Sequence, residues 1–389
     1  MTNQQNRSVL ILATAALASI SSSLVAGDIN AQLDSTNGSS VFVVSASNGV
    51  QLTKIYSDGR TIGGGLLNAV TGMCSTVGGG YGNAARASGA TVAGGGGWDA
   101  SDWRFRTNVA SGIFSAVGGG GDNRALSSFD TVAGGRENQA KGSESVVGGG
   151  YANDALSMGA TVAGGRINTA YGYGDFIGGG QGNDASNTYA TVAGGAVNKA
   201  LAYGASVLGG LYNEAKADYS TAGGRRSKAN HQGSFVWSDS QDADFTSSNT
   251  NQFSFRCQGG ARFLSGSGGA NQQVAWSPGD ASWTFSSDRN LKENFRQVDG
   301  AEVLEKVNEL PITTWNYRGY DLVHMGPVAQ EFHALFPLGR DENAIDGGDL
   351  HGVTLAAIQG LYRLVQEKDK KIAELEKRLS TLETRSGVK

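Results

Sequence analysis

The chain has 389 residues, a formal net charge of −4 and 17% charged residues, so no basic field marks it as a nucleic-acid binder. Glycine stands out at 60 residues against 4 prolines; the lack of a strict triplet period excludes collagen, and periodic valine and isoleucine argue against Gly-rich disorder. The two cysteines, Cys74 and Cys257, are far apart in no metal or redox motif, so neither a metal nor a cofactor is expected.

At the N-terminus, Arg7 precedes an apolar run from Val9 to Ala18, followed by small residues. The run is short for a membrane span and fits the core of a secretory leader over 1–26, with cleavage after Ala18 or Ala26. A buried N-terminal helix or a retained anchor is the alternative. The leader predicts export, to the extracellular space or the cell surface. No later segment has the length of a membrane helix, so no integral membrane anchor is identified. Residues 27–61 read as an N-terminal β segment.

From 62 to 225 the chain repeats itself. An aliphatic residue precedes a glycine pair or triplet at Val77, Val92, Val117, Val132, Val147, Val162, Ile177, Val192 and Val207. Asparagine recurs on the same 15-residue period, for example at Asn138, Asn153, Asn168 and Asn183, with alanine two residues later. So short a period implies stacked units that support one another. Each unit supplies a short extended segment, glycines able to take φ > 0 at a corner, and an asparagine suited to a turn or a stacked ladder. One or two aliphatic residues per coil look too few to enclose a core, which predicts that several copies share one. The pattern resembles the head repeats of trimeric autotransporter adhesins, which form left-handed parallel β-rolls in homotrimers. Those adhesins end in a membrane-embedded barrel and this chain ends in a charged helix, so self-export and outer-membrane anchoring do not carry over.

Other glycine motifs fail on context. GGGGDN (118–123) lacks the nonapeptide period of a calcium-binding repeat, and no GK[ST] follows a glycine cluster. The step from Val92 to Val117 carries ten extra residues around GGWDASDWRF (96–105). This predicts a protruding aromatic loop in which Trp98, Asp99, Asp102 and Trp103 contact a cell-surface glycan or host receptor; the bland reading is a loop that caps its own coil or packs on a neighbouring subunit.

After Arg225 and Arg226 the period is lost, and 226–286 reads as a β-rich neck of short hairpins. Then come SDRNLKEN (287–294), TTWNYRG (313–319) and HMGPVAQEFHALFP (324–337). Together they resemble the intramolecular chaperone domain of phage endosialidases and tail spikes, over the stretch from Ser287 to the C-terminus. The resemblance implies a domain that drives trimer assembly and then cleaves itself off. Its catalytic pattern falls on Ser287 and Lys292, with His324 and Gly326 in the second motif, and the cut would lie at or beside Ser287 and Asp288. The chemistry is sound by itself: a buried lysine can serve as the serine's base, and backbone N–H groups near Gly326 can hold an oxyanion. An exposed turn with a solvated charge is the alternative for the serine and lysine, and a packed histidine for His324.

Ile358, Leu361, Val365, Lys368, Ile372, Leu375, Leu379 and Leu382 alternate spacings of three and four, predicting a coiled coil over about 355–384. Lys371 with Glu376, and Arg378 with Glu383, place opposite charges for a parallel homo-oligomer. The heptads themselves favour two strands; a homotrimer follows from the resemblance and the shared core.

The expected fold is mainly β: a homotrimeric parallel β-roll or β-helix of 15-residue repeats, then a small α+β chaperone domain ending in a coiled-coil helix. The expected function is an exported trimeric fibre or adhesin-like surface protein matured by an autocatalytic serine peptidase at 287–389, with no other turnover. The alternative is a non-cleaving carbohydrate- or surface-binding fibre that retains its trimerisation domain. A polysaccharide-degrading enzyme is disfavoured, because no acidic pair recurs in a usable arrangement.

Overall fold

The computed structural model describes residues 36–45, 51–265 and 272–387; the expected leader at 1–26 lies outside them. The chain divides into two compact units, residues up to 261 with 276–282, and residues 262–275 with 283 onward.

The first unit is a parallel β-solenoid of about 13 turns over residues 61–256. The coil 161–175 shows why this sequence winds. Thr161–Val162 forms a two-residue strand that places Val162 fully inside. Ala163, Gly164 and Gly165 turn the corner, with Gly165 at φ +92°. A Cβ there would strike the carbonyl oxygen of Gly180 in the next coil, so only glycine fits. Asn168 enters the interior, and Thr169–Ala170 forms the second strand with Ala170 buried. Gly174, at φ +64°, then leads to the buried Asp175. Successive coils pair in parallel, Val162 opposite Ile177 and Ala155 opposite Ala170. The valine strands build one sheet and the alanine strands another.

The recurring asparagine is the interior fastener. Asn168 Nδ2 donates to the carbonyls of Gly164 and Gly180, 3.0 Å each, and its Oδ1 accepts the backbone N–H of Asn183 at 3.0 Å. The same contacts recur up the shaft, for example at Asn123, Asn153 and Asn198. Corner carbonyls that would otherwise be buried unpaired are thereby satisfied.

Two expectations change. The shared core is not needed: Val77, Val92, Val132, Ala140 and Ala155 are fully buried within one chain. Facing valine and alanine columns leave so narrow an interior that small side chains and the asparagines fill it. The hairpins expected in 226–286 are absent at 235–256, where Phe235–Ser238 and Phe253–Arg256 continue the parallel sheet. Ser227 stands in for asparagine 14 residues after Asn213 and accepts the ladder: its N–H donates to Asn213 Oδ1 at 2.9 Å. The next coil is 18 residues long, Phe235 lying opposite Phe253. The period breaks while the solenoid does not. Arg225 and Arg226 bond within the chain to Asp242 and Asp244.

Two corners per coil hold residues at positive φ, and several are not glycine: Phe114, Ile167, Tyr189, Val197 and Tyr219 lie between +54° and +59°. Bulky side chains rarely adopt this conformation. Four tyrosines, Tyr173, Tyr189, Tyr203 and Tyr219, run edge to face along one corner with centroids 5.5–5.9 Å apart. At the N-terminal end, Val41–Ser45 pairs antiparallel with Gln51–Tyr56, which pairs antiparallel with Thr61–Ile62.

In the second unit, Val274 pairs with Phe285 and Ala275 with Thr284 in an antiparallel sheet. Helix α1 (Gly300–Glu309) starts at Asp299, which accepts the Ala301 N–H at 2.9 Å. Helix α2 (Ala329–Leu335) contributes Phe332 to a core with Phe336, Val303, Leu310, Val353 and Ala357. Helix α3 (Gly347–Ser386) runs 40 residues from the Asp346 cap to Gly387 at φ +67°. Gly300 of α1 and Gly360 of α3 are in direct backbone contact, a crossing that no larger residue permits. No described helix is long and apolar enough to cross a membrane.

Replacing Asn168 with alanine orphans two carbonyls and one N–H and is expected to lower shaft stability by roughly 2–4 kcal/mol in chemical denaturation. Burial pushes the Asp175 carboxyl from 3.8 up to about 6, against hydrogen bonds from Gly172 and Ala190 that pull it down. A raised carboxylate favours the protonated fold. Its contribution is therefore complete below pH 3.8 and is lost as pH rises through 6. Melting measured between pH 4 and 7 should fall by about 1–2 kcal/mol from this group, and Asp175→Asn should flatten that slope.

Candidate functional site

The first candidate site is the stretch that follows the antiparallel sheet. Ser286 is held to the neighbouring strand: its N–H donates to Gln273 O at 2.9 Å, and its Oγ accepts the Gln273 N–H at 2.8 Å. Asp288 then caps a 3-10 turn over Arg289–Leu291, accepting the Asn290 N–H at 2.9 Å. Five extended residues would span about 17 Å. The turn instead folds the chain back, and Lys292 Nζ donates to Ser287 Oγ at 2.7 Å. Arg289 lies over the Phe295 ring at 4.7 Å, which holds the far end of the turn. Ser287 and Lys292 are both exposed in the single chain. Sequence reading paired the serine with the lysine but missed Asp288 as the cap that brings them together; the Asp-x-Asn spacing was the available signal.

His324 and Gly326 lie on a strand, His324–Gly326, paired antiparallel with Thr313–Trp315. His324 stacks on Trp315 with centroids 4.8 Å apart and meets Tyr317 edge-on at 5.9 Å. Trp315 Nε1 is buried without a hydrogen-bond partner. The open space beside Gly326 would accept a side chain. Among the described residues, no hydrogen bond or ring contact joins His324 or Gly326 to the Ser287–Lys292 pair. The structure thus brings two of the four expected residues together and packs the histidine in an aromatic nest.

Residues 287–338 match the family model described as chaperone of endosialidase. That family comprises self-cleaving intramolecular chaperone domains. The match begins at Ser287 and covers the capped turn, the paired strands and α2. In this chain the matched segment follows a β-solenoid, the layout expected from the sequence. No curated protein matches the chain.

The second candidate site is the insertion in the solenoid. Gly97–Asp99 and Arg104–Arg106 form a hairpin, with Trp98 opposite Phe105. Its fastener, unforeseen in the sequence, is Arg106. This guanidinium is 6% exposed and bonds Asp122 and Glu137, 2.8 Å each, as well as Asp102, with Asp99 at 3.4 Å. Asp122 and Glu137 belong to the next two coils. Hydrogen bonds from Ser101 lower the Asp99 carboxyl below its ordinary value, helped by Arg106 and Arg136. The tryptophans stay outside, Trp98 at 49% and Trp103 at 76% exposure. Among the described residues, no group of three or more His, Cys, Asp or Glu could hold a metal ion.

Removing the hub tests whether it fixes the hairpin. Arg106→Ala leaves four carboxylates without their common partner, and cleavage by a limiting protease between 97 and 106 should speed up by about tenfold or more. The parallel sheets of the solenoid should keep their circular-dichroism signal.

Proposed function

We propose that the chain forms a homotrimeric, exported fibre whose C-terminal domain drives assembly and then cuts itself away at the peptide bond beside Ser287. The observation that carries this reading is the 2.7 Å contact between Lys292 Nζ and Ser287 Oγ, inside a segment that matches the chaperone of endosialidase. In the proposed reaction Ser287 Oγ attacks the carbonyl carbon of an adjacent peptide bond while Lys292 takes the hydroxyl proton. The C–N bond breaks, Lys292 passes that proton to the leaving amine, and water hydrolyses the resulting ester. Nucleophile and scissile bond share one segment, so no encounter entropy opposes the step.

Timing follows from exposure. A lysine becomes a base only after losing a proton, and removal from water is what favours its neutral form. The pair faces solvent in the single chain, so cleavage waits until neighbouring copies bury it. Helix α3 supports assembly: Ile358, Leu361, Val365, Ile372, Leu375, Leu379 and Leu382 are 47–61% exposed along one stripe. A stripe this regular on a 40-residue helix is a seam for other copies. Within the chain Arg378 bonds Glu374 at 2.8 Å, leaving Glu383 for a neighbouring helix. Export rests on the leader-like residues 1–26. The same exposure of Ser287 and Lys292 favours a second reading, in which the domain stays attached and the pair is silent.

Expression of the wild type beside Ser287→Ala and Lys292→Ala separates the two. Intact-mass spectrometry should find the wild type cut beside Ser287 and both variants uncut there, at the 40.1 kDa of the full chain less any leader removed, while light scattering gives trimers for all three. A wild-type chain that trimerises and stays whole sinks the self-cleavage reading, and a stable dimer sinks the trimer.

A further inference from the structure

The inserted hairpin takes no part in the asparagine ladder. The asparagine ladder passes straight beneath it, with the Asn108 N–H donating to Asn83 Oδ1 at 3.0 Å across 25 residues of sequence. Yet the hairpin is held firmly, by a buried arginine that grips carboxylates on three coils. What this grip presents to solvent is aromatic. Trp98 packs on Phe105 at 4.8 Å and meets Trp103 edge-on at 5.9 Å, and Phe105 stacks on Tyr81 at 4.7 Å. Trp103 sits at φ +59°, a conformation costly for a large side chain and one that persists where the surroundings impose it.

Beside this platform lies a cleft of about 330 Å³ lined by Trp98, Asp99, Arg106 and Arg136 over a glycine floor. Above Gly97 the space is open, so a ligand can approach the backbone there. We propose that this cleft binds one or two neutral sugar rings, with Trp98 stacked on the ring face and Asp99 and Arg136 bonding the hydroxyl rim. A sugar ring has an apolar C–H face and a polar edge, and the cleft offers the matching pair. Its volume is at the small end for ligand pockets, which suits a mono- or disaccharide unit.

Charge selects the class of sugar. Of the charged side chains only Asp99, Arg106 and Arg136 line the cleft, and behind them Asp102, Asp122 and Glu137 bond Arg106, so that four carboxylates lie against two guanidinium groups. Sialic or uronic acids would meet an acidic excess. A hexose or N-acetylhexosamine would not. Self-cleavage plays no part in this site, so it stands or falls apart from the maturation reading.

The test presents the purified full chain to an array of neutral hexose and N-acetylhexosamine oligomers alongside sialylated and uronate glycans. Binding is expected on neutral glycans, at least tenfold weaker for Trp98→Ala, intermediate for Trp98→Phe and unchanged for Tyr219→Ala, an aromatic on a distant coil. Circular dichroism and light scattering check each variant, and Trp98→Phe decides if the alanine variant fails to fold. Absence of any neutral hit, a preference for acidic glycans, or indifference to both Trp98 substitutions overturns the proposal. So does a change of oligomer mass in the folded variants, which would assign the platform to contact between copies.

Discussion

Everything in the solenoid depends on how a buried corner disposes of its backbone carbonyls. Tight glycine corners point C=O groups inward, where water is absent, and leaving them unpaired would be prohibitive over so many coils. One asparagine per coil solves this, bonding a carbonyl of its own coil and one of the next while offering its oxygen to the following N–H. The amide therefore fixes the rise from coil to coil as well as the corner. Valine and alanine columns fill the space that remains, and their small size follows from the narrowness the asparagine imposes.

How much of this the sequence reveals depends on the kind of constraint. A 15-residue recurrence of Val, Gly-Gly and Asn is translational, so the parallel solenoid was legible from it. The closed single-chain core was not, because counting aliphatic residues overlooks buried asparagine as interior volume. The continuation past Arg226 was hidden because Ser227 does the asparagine's work at a spacing of 14 and the next coil runs to 18. A ladder tolerates such substitutions, while a pattern search keyed to residue type and period does not.

The C-terminal unit shows the complementary case. Ser287 and Lys292 were found by motif, and their contact requires only local geometry: a tied Ser286, a capping Asp288 and one 3-10 turn. His324 and Gly326 come from a strand some thirty residues downstream, and whether they bond the pair is a matter of tertiary packing that the motif does not carry. Arg106 was invisible for a related reason. Its partners at 122 and 137 are neighbours only once the coils are stacked, and a lone arginine in a glycine-rich sequence announces nothing.

The uninterrupted ladder beneath the hairpin has a broader meaning. Asn83 and Asn108 are joined as closely as asparagines one ordinary coil apart. The hairpin between Gly96 and Thr107 is thus outside the interior ladder, and it is tied to the rod from its flank, through Arg106 and the stacking of Phe105 on Tyr81. A loop of another length at this corner leaves the asparagine ladder unbroken, provided that the carboxylates of Asp122 and Glu137 keep a cationic partner. In such a solenoid length is accommodated at the corners, while the interior keeps its spacing from coil to coil.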